Sequence, residues 1–340
     1  MSALSAPSPY PQAKAEAVAG AAGAMVAPVC WPAVVPGSST GFGALREAGP
    51  TVRKAGPISM KRLELFRLAA PKDSGAHRYP GTVTDVLPPA PAPLPTTLAE
   101  ASEAGRTLIM GIINVTPDSF SDGGRWDTTD LAVAHGRQLR AQGADLLDVG
   151  GESTRPGAAR ITPATEQERI IPVVRALAAS GAVVSVDTVH AATAEAAVGA
   201  GAVIVNDVSG GLADPAMHRV VADTGVVYIC QHWRGDPGTM DRLTDYSALG
   251  GVVDGVETEL RERLDELDAA GAGLRQVVID PGLGFAKTHA QSWRLLAATE
   301  RLRVDLGLPV LIGSSRKRFL AAAVPGSAAA DPIARDAATA

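Results

Sequence analysis

Seven short apolar runs, all after residue 106, constrain the fold more than any other feature of the sequence. Each run is followed by a segment whose apolar side chains recur every three or four residues, which predicts a helix. Strands that are apolar throughout are typical of parallel sheets whose two faces are both covered. The predicted strands span residues 108–115, 146–149, 183–186, 203–205, 226–230, 277–279 and 310–312. The predicted helices span residues 129–142, 164–179, 191–200, 215–223, 249–270 and 290–306, with a further helix start near Ser315.

Polar residues follow almost every one of these strands directly. In a (β/α)8 barrel such positions converge on one mouth, whereas an open, doubly wound sheet scatters them along an edge. We therefore predict an α/β fold of the TIM-barrel class. The polar positions are Asn114, 152–155, Asp187, Asn206, Asp207, His232, Asp280 and 314–317.

The first 105 residues differ in composition from the rest. They are rich in Pro, Ala, Gly and Ser, and proline at this density resists both helix and sheet. We predict a disordered extension over residues 1–105 and a barrel domain over residues 106–340, with one transient helix at 60–69. Residues 82–87 are the only strand candidate in the extension, and we predict that they add no strand to the barrel.

Charge and cysteine content exclude several classes of protein. The net charge of −5 argues against nucleic-acid binding, which needs a concentrated basic surface. Two distant cysteines without CxxC spacing argue against a disulfide framework and fit a reducing cytoplasm. No apolar run reaches membrane-spanning length, and no secretory signal is visible, so we predict a cytoplasmic protein with no membrane partner.

Two loops carry the first chemical signal. Residues 114–124 contain Asn114, Asp118 and Asp122 among turn residues, and oxygen ligands of this kind suit Mg²⁺ bound to a phosphate group. Residues 148–157 contain a glycine pair that permits close backbone approach and Arg155, which can meet an anion. Taken singly, each is equally well an ordinary solvated loop.

Together with five later motifs, these loops give a resemblance that covers about 215 residues. The sequences NVTPDSFSDGG and GGESTRPGA are followed in order by SVDT, NDVSG, QHWRGDP, DPGLGFAK and GSSRKRF, each at the end of its predicted strand. The chain resembles the dihydropteroate synthases, enzymes of folate biosynthesis and targets of sulfonamides. The resemblance implies condensation of 7,8-dihydropterin-6-ylmethyl diphosphate with p-aminobenzoate, giving 7,8-dihydropteroate and diphosphate.

The resemblance also implies residue roles. Asp187, Asn206, Asp280 and Lys317 match the pterin-binding positions, and Asp187, Asp280 and Lys317 are the predicted catalytic residues. A flat pterin edge alternates donors and acceptors, which buried Asp and Asn groups can pair. Considered alone, Asp187 or Asp280 could instead cap the following helix.

Further matches surround p-aminobenzoate, diphosphate and the metal. Asn114 matches the residue that reaches Mg²⁺, the one implied cofactor, and His232 is predicted to be structural or to line the pocket. The loop and pocket positions are Phe120, Asp122, Thr154, Arg155, Pro156, Phe285, Ser315 and Arg316.

The chain departs from the family pattern in two places. Gln231 stands where relatives often carry methionine, a change of modest expected effect. Relatives continue past the seventh helix to an eighth strand bearing Arg-x-His and an eighth helix, whereas this sequence ends at Ala340. Our hypothesis is a C-terminally incomplete barrel, lacking strand eight and helix eight, whose activity is left open.

Two other functions compete with synthesis. A pterin-dependent methyltransferase would share the pterin pocket but would not need the STRPG loop or the SRK segment, and both are present. A non-catalytic pterin-binding paralogue would tend to lose the loop motifs. By the same resemblance, a folded chain is expected to be a homodimer.

Overall fold

The computed structural model describes residues 106–116, 128–152, 160–236 and 238–324, together with the backbone of residues 26–30. Within this part of the chain, no helix combines the length and the apolarity that crossing a membrane requires.

Seven parallel strands form the wall of a barrel, in chain order around its axis. Their apolar residues are buried on both faces, as the sequence predicted. The strands follow one another in chain order around a curled sheet, as in a barrel, whereas the strand order of a doubly wound sheet reverses at a switch point. The strands are β2 (Leu108–Asn114), β3 (Leu146–Gly150), β4 (Val184–Asp187), β5 (Ile204–Asp207), β6 (Val227–Gln231), β7 (Val277–Asp280) and β8 (Val310–Leu311).

An eighth strand, β1 (Val26–Cys30), closes the barrel between β2 and β8 and runs antiparallel to both. The prediction that the N-terminal extension adds no strand is therefore wrong at these five residues. The reason is that an open strand edge offers unpaired N–H and C=O groups, which any extended segment can meet. Residues 60–69 and 82–87 lie outside the described residues.

The helices pack outside the wall, close to their predicted positions. One difference is that the helix predicted over 290–306 is two helices, which meet at Ala298. Another is that residues 315–316 form a turn, and a six-residue 3-10 helix, Arg318–Ala323, begins only after Lys317. The α-helices are α1 (Thr128–Ala141), α2 (Pro163–Ala179), α3 (Ala191–Gly199), α4 (Met217–Thr224), α5 (Val252–Ala269), α6 (His289–Ala297) and α7 (Thr299–Leu306).

The alternation of side chains along each strand separates two apolar cores. Residues of one parity face the helices and join the larger core; those of the other parity face the barrel interior. The lower interior is filled by Leu108, Met110, Leu146, Ile204, Val227, Ile229, Val278 and Leu311. Continuing upward at the same parity, the strands change to polar residues, so the fold carries its polar groups at the carboxyl mouth.

Candidate active site

The upper interior brings together the strand-borne residues that the sequence singled out. Gly150, Asp187 and Asn206 lie side by side across three neighbouring strands. Gln231 and Asp280 are register partners on β6 and β7. Since these positions share the inward parity of the apolar residues below them, their side chains converge above the apolar floor.

Asp187 ends β4 as a partly buried carboxylate. Burial, followed by the negative charge of Asp148, raises the pKa of Asp187 well above its ordinary value. Among the described residues, no group donates a hydrogen bond to it. The helix that follows begins after His190, so Asp187 is not its cap. A carboxylate in this state is poised to accept donors or positive charge from a ligand.

Asn206 ends β5 and is 8% exposed. Its Nδ2 donates to Asp148 Oδ2 at 2.9 Å. Asp148 lies one inward step below, level with Ser185 and Ile204. Burial raises the pKa of Asp148 above its ordinary value. Sequence reasoning gave Asp148 no role, although a carboxylate inside an otherwise apolar strand was a visible signal.

Asp280 and Lys317 form the opposite side of the interior. A Cβ at Gly313 would lie 3.3 Å from Asp280 Oδ2 and 3.5 Å from Lys317 Nζ, so the glycine leaves room for both groups. Asp280 accepts from the Gly282 amide at 2.7 Å, and it caps no helix. Burial raises the pKa of Asp280, while the charge of Lys317 opposes that rise. Burial lowers the pKa of Lys317 to about 8, against the attraction of Asp280.

Phe285 lies in the loop after β7, partly buried beside this pair. Lys317 Nζ stands 4.6 Å from the centre of its ring, within the range of a cation–π contact. Lys317 also donates to the carbonyl of Leu283 at 2.5 Å. The ring and the ammonium group therefore flank the same part of the mouth.

Behind that loop, a buried hydrogen-bond chain fixes its course. Lys287 Nζ donates to Phe285 O and to His232 Nδ1, both at 2.9 Å, and His232 Nε2 donates to Glu259 at 2.6 Å. Burial, together with the charge of Lys287, lowers the pKa of His232 to about 3. His232 is thus a neutral, buried connector, as expected of a structural residue. Lys287 was missed as an individual residue because it appeared only inside the DPGLGFAK motif.

The other described candidates lie around the mouth. Asn114 ends β2 and Ser315 and Arg316 form the turn after β8, all partly buried. Arg316 has a φ of 54°, in the left-handed region that side chains other than glycine rarely adopt. The remaining predicted residues belong to the two loops, 114–124 and 148–157. Phe120, Asp122, Thr154, Arg155 and Pro156 lie outside the described residues.

Metal ligands of the kind that hold an ion by protein groups alone are not assembled here. Within the described residues, no group of three or more His, Cys, Asp or Glu side chains could enclose a metal ion. Mg²⁺ bound to phosphate groups usually keeps several waters and takes only one or two carboxylates from the protein.

The chain matches known proteins over the same region. The model of the family described as pterin binding enzyme matches residues 110–340. The dihydropteroate synthase of Mycobacterium leprae is 50% identical over 236 residues, which are 68% of this chain and 81% of that protein. The chain covers 85% of a Xanthomonas albilineans dihydropteroate synthase solved with 4-aminobenzoic acid, at 42% identity over 69% of this chain and a TM-score of 0.61.

The X. albilineans enzyme has also been solved in complex with 7,8-dihydropteroate; that structure matches 69% of this chain and 85% of its own, at 40% identity and a TM-score of 0.58. Fold and sequence thus agree with one family. The chain belongs to the pterin-binding enzymes, among the dihydropteroate synthases.

Proposed function

We propose that the chain condenses 7,8-dihydropterin-6-ylmethyl diphosphate with p-aminobenzoate to form 7,8-dihydropteroate and diphosphate. One observation carries the proposal. Asp187, Asn206, Asp280 and Lys317, four polar residues from different strand ends, converge above an apolar floor in a member of this family. The X. albilineans relative solved with 7,8-dihydropteroate supports the same product.

The chemistry that these residues supply is recognition and charge stabilisation. Asn206 and the two aspartates offer hydrogen-bond acceptors to the edge of a pterin, and unpaired buried groups would penalise an analogue that lacks the matching atoms. When diphosphate leaves the methylene carbon, positive charge spreads into the pterin ring. The carboxylates of Asp187 and Asp280 favour that charge electrostatically.

The second substrate is proposed to approach beside Phe285. The flat ring of Phe285 lies next to Lys317, so an aromatic amine with a carboxylate finds an apolar face and a cation together. The amine of p-aminobenzoate then attacks the methylene carbon directly, with no protein nucleophile. Thr154, Arg155, Pro156, Phe120 and Asp122 stay predicted contributors from the two loops, and Ser315 and Arg316 from the turn after β8.

Magnesium remains part of the proposal. Asn114, at the carboxyl end of β2, would bind the ion through its amide oxygen, and the ion would neutralise charge on the diphosphate. Chelation by EDTA should abolish synthesis but leave the affinity for a pterin without phosphate unchanged. Restoration of synthesis by Mg²⁺ completes the test; synthesis that persists in EDTA would contradict the role.

The decisive experiment is synthesis of 7,8-dihydropteroate by the purified chain from its two substrates. Product formation confirms the proposal, whereas pterin binding without turnover favours a binding paralogue, and methyl transfer from a methylated folate favours a methyltransferase. A version extended by a family-like last strand and helix, assayed in parallel, tests the predicted C-terminal incompleteness. Light scattering tests the proposed homodimer, and the cytoplasmic location stays a prediction.

A further inference from the structure

Asp148 is a buried acid with one satisfied oxygen. It is 3% exposed, and its Oδ2 accepts from Asn206 Nδ2. Its Oδ1 has no partner within hydrogen-bonding distance among the described residues, and neither has the hydroxyl of Ser185 at the same level, although that hydroxyl is near enough to oppose the rise in the pKa of Asp148. An unpaired buried carboxylate oxygen is unfavourable for folding, so a purely structural reason for this residue is weak.

The bond to Asn206 has a definite consequence for the amide. Because Asp148 Oδ2 accepts this bond, the NH₂ end of Asn206 faces downward, toward Asp148 and the floor. The carbonyl end then points away from Asp148. A free asparagine could present either end to a ligand, because its two ends are nearly equal in shape.

A neighbouring aspartate shows what a structural acid looks like in this barrel. Asp207, the next residue after Asn206, faces away from the interior and accepts four hydrogen bonds, from Ser209 N, Ser209 Oγ, Gly211 N and Tyr228 OH, at 2.7–2.8 Å. Asp148 accepts no hydrogen bond from a backbone amide or a hydroxyl group among the described residues. Its one bond goes to a residue of the proposed pterin site.

We propose that Asp148 is a positioning residue of the pterin site, holding the Asn206 amide so that its carbonyl oxygen faces the ligand. This inference rests on the proposed function and deepens it, because it assigns the acceptor end of Asn206 to a donor on the pterin. Asp148 itself stays beneath the ligand and acts through Asn206.

The test measures the affinity of 6-hydroxymethyl-7,8-dihydropterin and the KM for p-aminobenzoate. Asp148→Leu should weaken pterin binding roughly 10- to 100-fold, the effect of losing a hydrogen bond that involves a charged group. The KM for p-aminobenzoate should stay within about twofold, since the lost bond orients only Asn206. Asp148→Ala tests the same bond without added bulk, should the leucine variant fold poorly.

Two further variants distinguish a role of Asp148 in orienting Asn206 from a general effect on the folded structure. Asp148→Asn keeps an acceptor oxygen for Asn206 and should restore most of the affinity. Thr193→Val removes another buried, unpartnered hydroxyl, far along the chain on α3, and should leave binding unchanged. Weak binding by Asp148→Asn as severe as by Asp148→Leu would overturn the positioning role.

A double-mutant cycle with Asn206→Ala decides whether Asp148 acts through Asn206. In that background, Asp148→Leu should add little further loss, because residues that act as one unit are not additive. Full additivity would overturn the inference, as would wild-type affinity in Asp148→Leu. If the wild-type chain does not bind the pterin, the proposed function fails as well; if it binds and only the cycle disagrees, the inference fails alone.

Discussion

Two sides of the same barrel wall treat buried aspartates in opposite ways. On the side that faces α4 and α5, Asp207 is completely buried and accepts four hydrogen bonds, including one from Tyr228. On the interior side, Asp148 accepts one, and Asp187 accepts none from the described residues. Burial raises the pKa of all three above the ordinary value.

Under the proposed function, this difference separates an acid that stabilises the fold, Asp207, from acids that bind or orient a ligand, Asp148 and Asp187. A satisfied carboxylate ties backbone and side chains together, and its removal leaves donors buried without partners. A buried carboxylate without hydrogen-bond partners destabilises the ligand-free protein. It contributes favourable binding free energy when a cationic or hydrogen-bond-donating ligand pairs with it. Asn206 and Asp207, adjacent in sequence, point to opposite faces of the wall because side chains alternate along a strand, and only Asn206 is part of the proposed pterin site.

The substitution with the largest expected effect on this contrast is Asp187→Asn. We expect kcat/KM for synthesis to fall by about 100-fold or more, because a charge that stabilises the cationic pterin is lost. The midpoint of thermal unfolding should not fall. Since the folded pKa of Asp187 lies above the unfolded value, its contribution to stability is present below pH of about 4 and lost as the pH rises through the folded pKa.

The unfolding midpoint of Asp187→Asn should accordingly decline less between pH 5 and pH 7 than that of the wild-type chain. Calorimetry at both pH values measures this difference. Normal kcat/KM in Asp187→Asn would contradict a role of Asp187 in synthesis.

Asp207→Ala tests the other side of the wall. It leaves Tyr228, Ser209 and Gly211 with unpaired buried donors, so the free energy of unfolding should drop by about 3 kcal/mol. Tyr228→Phe, which removes one of the four bonds, should cost about 1 kcal/mol. Denaturant titration measures both, and equal losses in the two variants would contradict a cooperative role for the carboxylate.

Lys317 provides a pH test within the interior. Its pKa of about 8 means that the ammonium form, which faces Asp280 and Phe285, is lost as the pH rises above that value. Synthesis should therefore decline above pH 8 in the wild-type chain. Lys317→Arg retains its charge over this range, and its relative activity should stay flat between pH 7.5 and 9.5. Parallel declines in both proteins would assign the pH dependence to another group.

The smallest expected effect concerns the loops that follow β5 and β7 at the carboxyl mouth. The loop after β5 enters the left-handed region at Gly210 and Gly211, whereas the loop after β7 also places buried Ala286 there, at a φ of 49°. Ala286→Gly should stabilise the protein by about 0.5 kcal/mol, since relief of strain exceeds the added entropy of the unfolded chain. Ala197→Gly, inside α3, is the matched control and should destabilise by about 1 kcal/mol.

Sequence reasoning located the strands and the residues at their carboxyl ends, because apolar runs and polar termini are local signals. It missed features that depend on partners far along the chain. The strand at Val26–Cys30 carries no distinctive pattern, since its pairing is with the backbone edges of β2 and β8. The break at Ala298 lacks Pro or Gly.

The same limit explains the omission of Asp148 and Lys287. Asp148 is conspicuous only once the register places it one inward step below the level of Asn206, two strands away, and Lys287 only once it is seen to contact His232. The burial, pKa shift and hydrogen-bond count of each acid depend on tertiary neighbours. Residue identity alone could nominate the acids, but it could not divide them between the two sides of the wall.

The apolar floor of the barrel also governs the order of events. Leu146, Ile204, Val227 and Val278 fill the interior below the site, so among the described residues the lower end of the barrel is closed by apolar side chains. A ligand that binds deeper in the mouth is then covered by one that binds nearer its rim. If the proposed roles hold, a ligand on the strand ends is expected to bind before one that lies above it, and the product is expected to leave through the same mouth.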